Sequence, residues 1–399
     1  MVYSGNSKEQ EKLTEKGEKT MFIQFHILKN FHPSNLNRDD LGAPKTCYFG
    51  GYRRARISSQ CIKRNMRVWN QFFQNSVRTK YFWMMIEKEL EENGFTEKEK
   101  IKKIYDELFS KEKNKKKNNK NKNKEIDDVE DNMENEEEEN ENKKNNNLFF
   151  TPKSIIPLIS KCILEKYNNP SECVKEIACI IEKGIEPEIA LFGRMIEISG
   201  GELKKKNLNV EAAAQVSNFF STHEVVLEVD FFTAVDDMTK TFEETGSGHL
   251  GQTMFNSSCY YGYASISWNK LIENLKDENL ALETTKNFLQ AFSFVVPTGF
   301  QNRFASNPVP SAIIVEIRKQ PLSYSDAFVV PVPLGQNNLI KESIKKLNNY
   351  MNKIDNSFFE PEKRFYFTIE DVEKNVSGDF YEKYEDFKNA FVAYLESKK

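Results

Sequence analysis

The chain has 399 residues, 39% of them hydrophobic and with 31 Phe, enough to bury a sizeable core. A net charge of -3 with 57 basic and 60 acidic residues gives no overall bias toward nucleic acid, so any such function must lie in how the charge is distributed. No run reaches the roughly 18 to 20 apolar residues of a membrane-spanning helix, six scattered Cys form no CxxC pair, and four isolated His form no HExxH or HxH pattern. These features predict a cytoplasmic protein with reduced thiols, no metal site and no membrane partner.

Residues 1–20 are polar and charged and read as a disordered extension, with Met21 a candidate start. FIQFHILKNF then has strand character. Between Asn35 and Arg67 lie Arg38, Lys45, Arg53, Arg54, Arg56, Lys63, Arg64 and Arg67, and from Gly42 to Phe73 there is not one acid. A solvated basic face normally carries interspersed Asp or Glu, so this strip points to a phosphate-bearing partner. Neither GxxxxGK[ST] nor GxGxxG after a strand is present, which favours a polymeric phosphate backbone over a nucleotide.

ISSQCIKRNMRVWNQFF predicts a helix begun by Ser58 or Ser59. At about 100° per residue, Ile62, Met66, Trp69 and Phe73 make a core stripe, while Lys63, Arg64 and Arg67 share a cationic face. Its positive N-terminus and free backbone N–H groups suit phosphate oxygens. Gly50 and Gly51, beside Arg53, Arg54 and Arg56, are expected to let a backbone or ligand approach closely.

The pattern stays helical over 59–110. Residues 111–147 (KEKNKKKNNKNKNKEIDDVEDNMENEEEENENKKNNN) read as a disordered, solvated insert, basic then acidic. Helices resume with PKSIIPLISKCILEKY and PSECVKEIACIIEKG, each opened by a Pro near its first turn. HEVVLEVDFFTAVDD and SSCYYGYASISW predict a long strand pair flanking TGSGHLGQ, and their aromatics are candidates for stacking on bases. A helix over 278–294, the loop VPTGFQNRFASNPVP, the strand SAIIVEIRK and a last helix in DFYEKYEDFKNAFVAYLES complete the order. The class is α+β, with one antiparallel sheet in a ferredoxin-like or RRM-like core carrying large insertions.

FIQFHILKNFHPSNLNRDDLGAPKTCYFGGYRRARISSQCIKRNMR closely resembles the start of the CRISPR-associated backbone subunit of type I-E Cascade, the CasC-like family. GIEPEIALFGRMIEISGG, FFSTHEVVLEVDFFTAVDD, GSGHLG and VPTGFQNRFASNP continue the match in order, so it covers nearly all of 21–399 apart from the insert. The resemblance implies an RRM-like palm (21–58 and 185–399), a helical finger domain (59–184) and a β-hairpin thumb (about 225–262). Copies of such a subunit polymerise along a guide crRNA, hold its backbone and present its bases to target DNA. The partners implied are therefore crRNA, target DNA through the guide, other copies of the chain and other Cascade subunits.

Carried over by position, Lys45, Ser58, Gln60, Lys63, Arg64 and Arg67 match the backbone-gripping segment. Met195 would pack on a guide base, and Phe232, His249 and Leu250 would belong to the thumb. Arg38, Arg54, Arg56, Arg194 and Arg303 complete the set expected at RNA. The segment between AVDD and GSGHLG is longer than the family pattern.

The resemblance implies a binding subunit with no catalytic residue, metal or cofactor. The rival is a type III-like backbone subunit that cleaves target RNA, with Asp39 or Asp40 and Mg²⁺ as its chemistry. Arg38 beside both carboxylates makes an internal pair or a loop-capping role the simpler reading.

Overall fold

The structure is a computed structural model that describes residues 20–109, 148–198, 200–234, 249–335 and 338–398, except the side chains of residues 234, 249 and 250. Residues 1–19 of the expected extension, the insert 111–147 and the segment 235–248 of the expected thumb lie outside the described residues.

Along the chain, β1 (Phe22–Ser34), β2 (Thr46–Phe49), β3 (Tyr52–Ile57) and α1 (Ser59–Trp69) come first. Then follow β4 (Ser76–Thr79), α2 (Phe82–Glu92), α3 (Lys98–Phe109), β5 (Phe149–Pro152), α4 (Ile155–Lys166), α5 (Pro170–Lys183) and α6 (Pro187–Phe192). The remainder holds β6 (Ala214–Val216), β7 (Phe219–Ser221), β8 (Glu228–Ala234), β9 (His249–Ser267), α7 (Trp268–Leu275), α8 (Glu278–Phe294) and α9 (Gln301–Phe304). It ends with β10 (Pro310–Arg318), α10 (Leu339–Ser357), β11 (Lys363–Thr368), β12 (Asp379–Tyr381) and α11 (Tyr384–Glu396). The described residues form two compact units, one within 1–70 and 213–399 and one within 71–212. The second overlaps the helical region expected over 59–184 without sharing its bounds.

The first unit is built on a sheet of order β12-β11-β10-β1-β9-β7-β3-β2. Its neighbours pair antiparallel except β11 with β12. β9 and β10 both run antiparallel to β1, which lies between them, and α8 makes the crossover. β1 and β7 stand in the same relation about β9. These two split β-α-β units give the connectivity of a ferredoxin-like core, and the α+β class holds.

β1 is buried along most of its length because both its faces are covered. Phe25 packs with Phe288 and Phe292 of α8 and Phe391 of α11. The opposite face, with Leu28, Tyr261, Ile314 and Tyr366, meets Ile344, Leu347 and Met351 of α10. Lys29, also buried, donates from Nζ to the carbonyls of Ser293 and Val295 at the C-terminal end of α8 (3.3 and 3.1 Å), where the helix dipole favours a cation. Burial pulls its ammonium down to about 7.

Beneath α10 lies a charged cluster. Arg318 Nε and Arg364 Nε each donate to Glu316 at 2.6 Å, and both guanidinia reach Asp355 (2.9 and 2.8 Å). Tyr324 Oη donates to the same Glu316 carboxylate, and His26 Nδ1 lies 2.8 Å from Tyr261 Oη.

In the second unit, the faces of α2, α3, α4 and α5 close over Trp83, Ile86, Ile104, Ile159 and Ile177, and Phe82 stacks on Phe149. α5 starts as expected, with Pro170 in its first turn behind the N-cap Asn169. α4 starts at Ile155, leaving Pro152 in β5 opposite Ser76. β4, paired with β5, interrupts the helical pattern read over 59–110, which otherwise forms α1, α2 and α3. α10 and β11 were not anticipated.

Candidate nucleic-acid interface

The turn Phe49-Gly50-Gly51-Tyr52 joins β2 to β3 with φ of +61° and +85° at its glycines, a hairpin conformation that L side chains resist. Gly50 also has no room for a side chain, since a Cβ there would lie 2.1 Å from the Val329 carbonyl oxygen. The approach it permits is by this chain's own backbone.

β3 leads into α1, capped by Ser58, whose Oγ accepts from Cys61 N at 3.3 Å. Ser58 N donates to Asn37 Oδ1 and Ser59 N to Asn218 Oδ1 (2.9 and 3.0 Å). Three amides at this terminus are therefore engaged, which corrects the expectation of free N–H groups waiting for phosphate. What α1 offers is its side-chain face. Ile62, Asn65 and Met66 are buried, Gln60 and Arg64 are exposed, and Lys63 and Arg67 are half-buried.

Lys45 joins that face through the backbone, with Lys45 N donating to Asn37 O and Arg56 N to Lys45 O, both at 2.8 Å. Burial raises the Cys61 thiol's pKa, while Lys45 and Arg64 both pull it down, so their charges converge on the start of α1. Lys45, Arg56, Gln60, Lys63, Arg64 and Arg67 thus belong to one contiguous set of elements.

Arg54 does not belong to the exposed strip. It is fully buried, and its guanidinium donates to the carbonyls of Ser221, Phe328 and Val329 (3.0, 2.7 and 3.2 Å). It pins β3 to the segment after β10. Arg194 is likewise buried, with Nε donating to Leu208 O and Nη1 to Gly184 O (2.7 and 2.9 Å). Both were expected at RNA, and both serve the interior instead. Met195, the next residue, is 82% exposed in the second unit. Trp69, expected in the core stripe, is 45% exposed and stacks on Phe294 at 6.4 Å. Tyr260, Tyr261 and Tyr263 of CYYGYASISW are buried under the helices, so that strand presents no stacking platform.

The loop after β1 is shaped by Asp39, whose Oδ1 accepts from Leu41 N and Ala43 N (3.0 and 2.9 Å). Arg38 turns from the carboxylates and lays its guanidinium 4.4 Å from the centre of the Phe300 ring. No group of three or more His, Cys, Asp or Glu that could hold a metal occurs among the described residues, and Asp39 and Asp40 remain a pair.

On the β8–β9 ladder, Phe232 faces Gly251 and Phe231 faces Gln252. A Cβ on Gly251 would lie 2.4 Å from the Phe232 ring, so the glycine makes room for it. Arg303 covers the ring at 4.4 Å and pairs with Asp230 Oδ2 at 2.9 Å. Phe231 is 69% exposed. The backbones of His249 and Leu250 pair with Ala234 and Thr233, while their side chains lie outside the described residues. Asn37, Asp230 and Phe300 escaped the sequence reading because they act by fixing neighbours, which leaves no charge or periodicity signal.

A family model described as CT1975-like protein matches residues 23–389. The chain belongs to the CT1975-like family. Among solved structures, a chain described as "CRISPR RNA-guided surveillance complex, pre-nicking" is 27% identical, with a TM-score of 0.76 over 94% of this chain and 100% of that one. A second, described as "CRISPR RNA-guided surveillance complex", is 23% identical with a TM-score of 0.58, over 94% of this chain and 99% of that one, a likeness of fold. No curated protein matches. The resemblance to a Cascade backbone subunit read in the sequence is thereby borne out, and the CT1975-like fold carries the acid-free strip on β2, β3 and α1.

Proposed function

We propose that this protein is a non-catalytic, crRNA-binding backbone subunit of a type I-E-like Cascade complex. It polymerises along the guide beside other Cascade subunits and presents the guide's bases to target DNA. The observation that carries this reading is the acid-free run of Lys63, Arg64 and Arg67 along one side of α1, with Lys45 beside its start, in a fold that matches a chain of an RNA-guided surveillance complex over 94% of this chain.

In this reading Lys45, Arg56, Lys63, Arg64 and Arg67 hold phosphates, and Gln60 and the Ser58 hydroxyl supply neutral hydrogen bonds. Such contacts are independent of sequence and weaken with salt. Met195 meets a guide base, while Phe232, His249 and Leu250 act where the strand is kinked. Arg38 serves the same path from the loop after β1. With Asp39 committed to its own loop, no observation favours the RNA-cleaving alternative.

The test is native mass spectrometry of the protein co-expressed with a CRISPR transcript and its neighbouring genes, followed by labelled complementary RNA and Mg²⁺. A multi-copy complex that protects the guide and leaves the added RNA intact is expected. A monomer without RNA, or cleavage at regular spacing, overturns the reading.

A further inference from the structure

The loop around α9 holds two residues other than glycine in the left-handed region, Phe300 (φ 51°, ψ 27°) and Ala305 (φ 48°, ψ 36°). Side chains with a Cβ avoid this region, and such conformations persist where the surroundings over-determine them. Here they do so from both directions. On one side, a Cβ on Gly299 would lie 2.5 Å from Leu36 O and 2.9 Å from Asn35 O, so loop and loop meet backbone to backbone. Arg38 then stacks on Phe300.

On the other side, Arg303 Nη1 donates to Thr253 Oγ1 at 3.0 Å and Nη2 to Asp230 Oδ2 at 2.9 Å, while the guanidinium covers Phe232. Phe304 packs on Phe255 with ring centres 5.8 Å apart. Gln301 Nε2 closes the loop on itself through Pro297 O and Ser306 O. A parallel tie runs through Asn35, whose Nδ2 donates to both Gly42 O and Met254 O at 2.9 Å.

We propose that residues 298–305 form a brace that sets the position of the β8–β9 ladder relative to the loop of Arg38, with Phe300 and Arg303 as positioning residues. Arg303 is then not a phosphate ligand. Its planar fork is matched at once to a carboxylate, a hydroxyl and an aromatic face, a combination an ammonium cannot reproduce. Resting on the guide-binding reading, the brace fixes the distance between the residue that meets the strand at Arg38 and the one that meets it at Phe232. That distance governs where along the guide the backbone is bent.

The experiment uses the full chain with Arg303→Ala, Arg303→Lys and the exchanged pair Arg303→Asp with Asp230→Arg. Without RNA, amide exchange over 228–233 should accelerate about tenfold or more in both single variants, while exchange in β1 and β10 stays unchanged. The exchanged pair should recover part of that protection. With RNA, the salt dependence of binding should keep its slope in Arg303→Ala, and the periodic pattern of chemically reactive nucleotides should blur.

Two results overturn the brace. One is a slope reduced by about 0.7, the signature of one lost phosphate contact on a single strand, together with rescue by Arg303→Lys. The other is unchanged exchange over 228–233 in Arg303→Ala. Failure of the wild-type protein to bind RNA would overturn the guide-binding reading alone, since the exchange measurement tests the brace without it.

Discussion

Arg318 and Arg364 lie under α10, each in contact with Glu316 and Asp355, whereas Lys45, Lys63, Arg64 and Arg67 sit in a stretch without one acid. In the buried region desolvation is large, so each cation must find its counter-charge inside the chain and the set is closed. In the acid-free strip Arg64 is exposed and Lys63 and Arg67 are half-buried, so desolvation is smaller and cations can also meet a partner that brings its own negative charge. On the proposed reading, the same residue type serves cohesion in one place and recognition in the other. Burial, not charge, tells the two apart.

The sharpest way to break the comparison is to open the closed set. Glu316→Ala leaves Arg318 and Arg364 short of their shared carboxylate and should cost about 3–5 kcal/mol of stability, read as a fall in the denaturation midpoint. The acid limb follows the same logic. Burial pushes the Glu316 carboxyl up, but Arg364, His26 and Arg318 together bring it down to about 2. Its contribution is present above the unfolded value near 4.3 and is lost as pH falls toward 2.

His26 is lowered to about 4, first by burial, with Glu316 opposing and Arg318 and Arg364 adding to the shift. The fold therefore keeps it neutral, and stability also falls as pH drops from about 6.5 to about 4. A wild-type protein equally stable from pH 7 to pH 3 would contradict both assignments.

Arg54 tests the boundary between the regions, because it lies in the basic segment yet is buried. Arg54→Ala strands three carbonyls and should destabilise by about 2–3 kcal/mol, without changing how RNA affinity responds to salt. Lys63→Ala with Arg67→Ala should do the reverse. Folding stability should move less than in Arg54→Ala, by about 1 kcal/mol, because both side chains are half-buried, while the salt slope falls by roughly 1.4, about 0.7 for each phosphate contact, for every guide sequence alike. A loss confined to one sequence would place those residues at a base instead.

This pair also marks what the sequence makes legible. Alternation and helical period locate β1, α1 with its Ser58 cap, α8 over 278–294, β10 and the last helix, since each is an amphipathic or wholly buried run with its own end signals. α10 carries the same i, i+4, i+7 pattern in Ile340, Ile344, Leu347, Met351 and Ile354. It sits in a segment so rich in Lys and Asn that the stripe is diluted. Exposure within β3 was not legible at all. Arg54 and Arg56 alternate in the same way, and only the carbonyls of Phe328 and Val329, supplied from far along the chain, decide that the first is interior. The strip was visible because it is a property of composition, and the brace was not because it is a property of tertiary contact.

The smallest expected effect separates the binding reading from the catalytic one. Asp39 Oδ1 accepts two loop amides, and an amide oxygen can do the same, so Asp39→Asn should be close to neutral for stability and for guide binding. Asp39→Ala removes the acceptor and should loosen residues 39–43 at a cost of about 1 kcal/mol. A carboxylate that held Mg²⁺ for cleavage would respond differently, because the amide carries no charge for the cation and Asp39→Asn would be as damaging as Asp39→Ala. The two substitutions compared in one assembled complex, with stability, guide protection and cleavage of added RNA as readouts, distinguish a residue that shapes its loop from one that does chemistry.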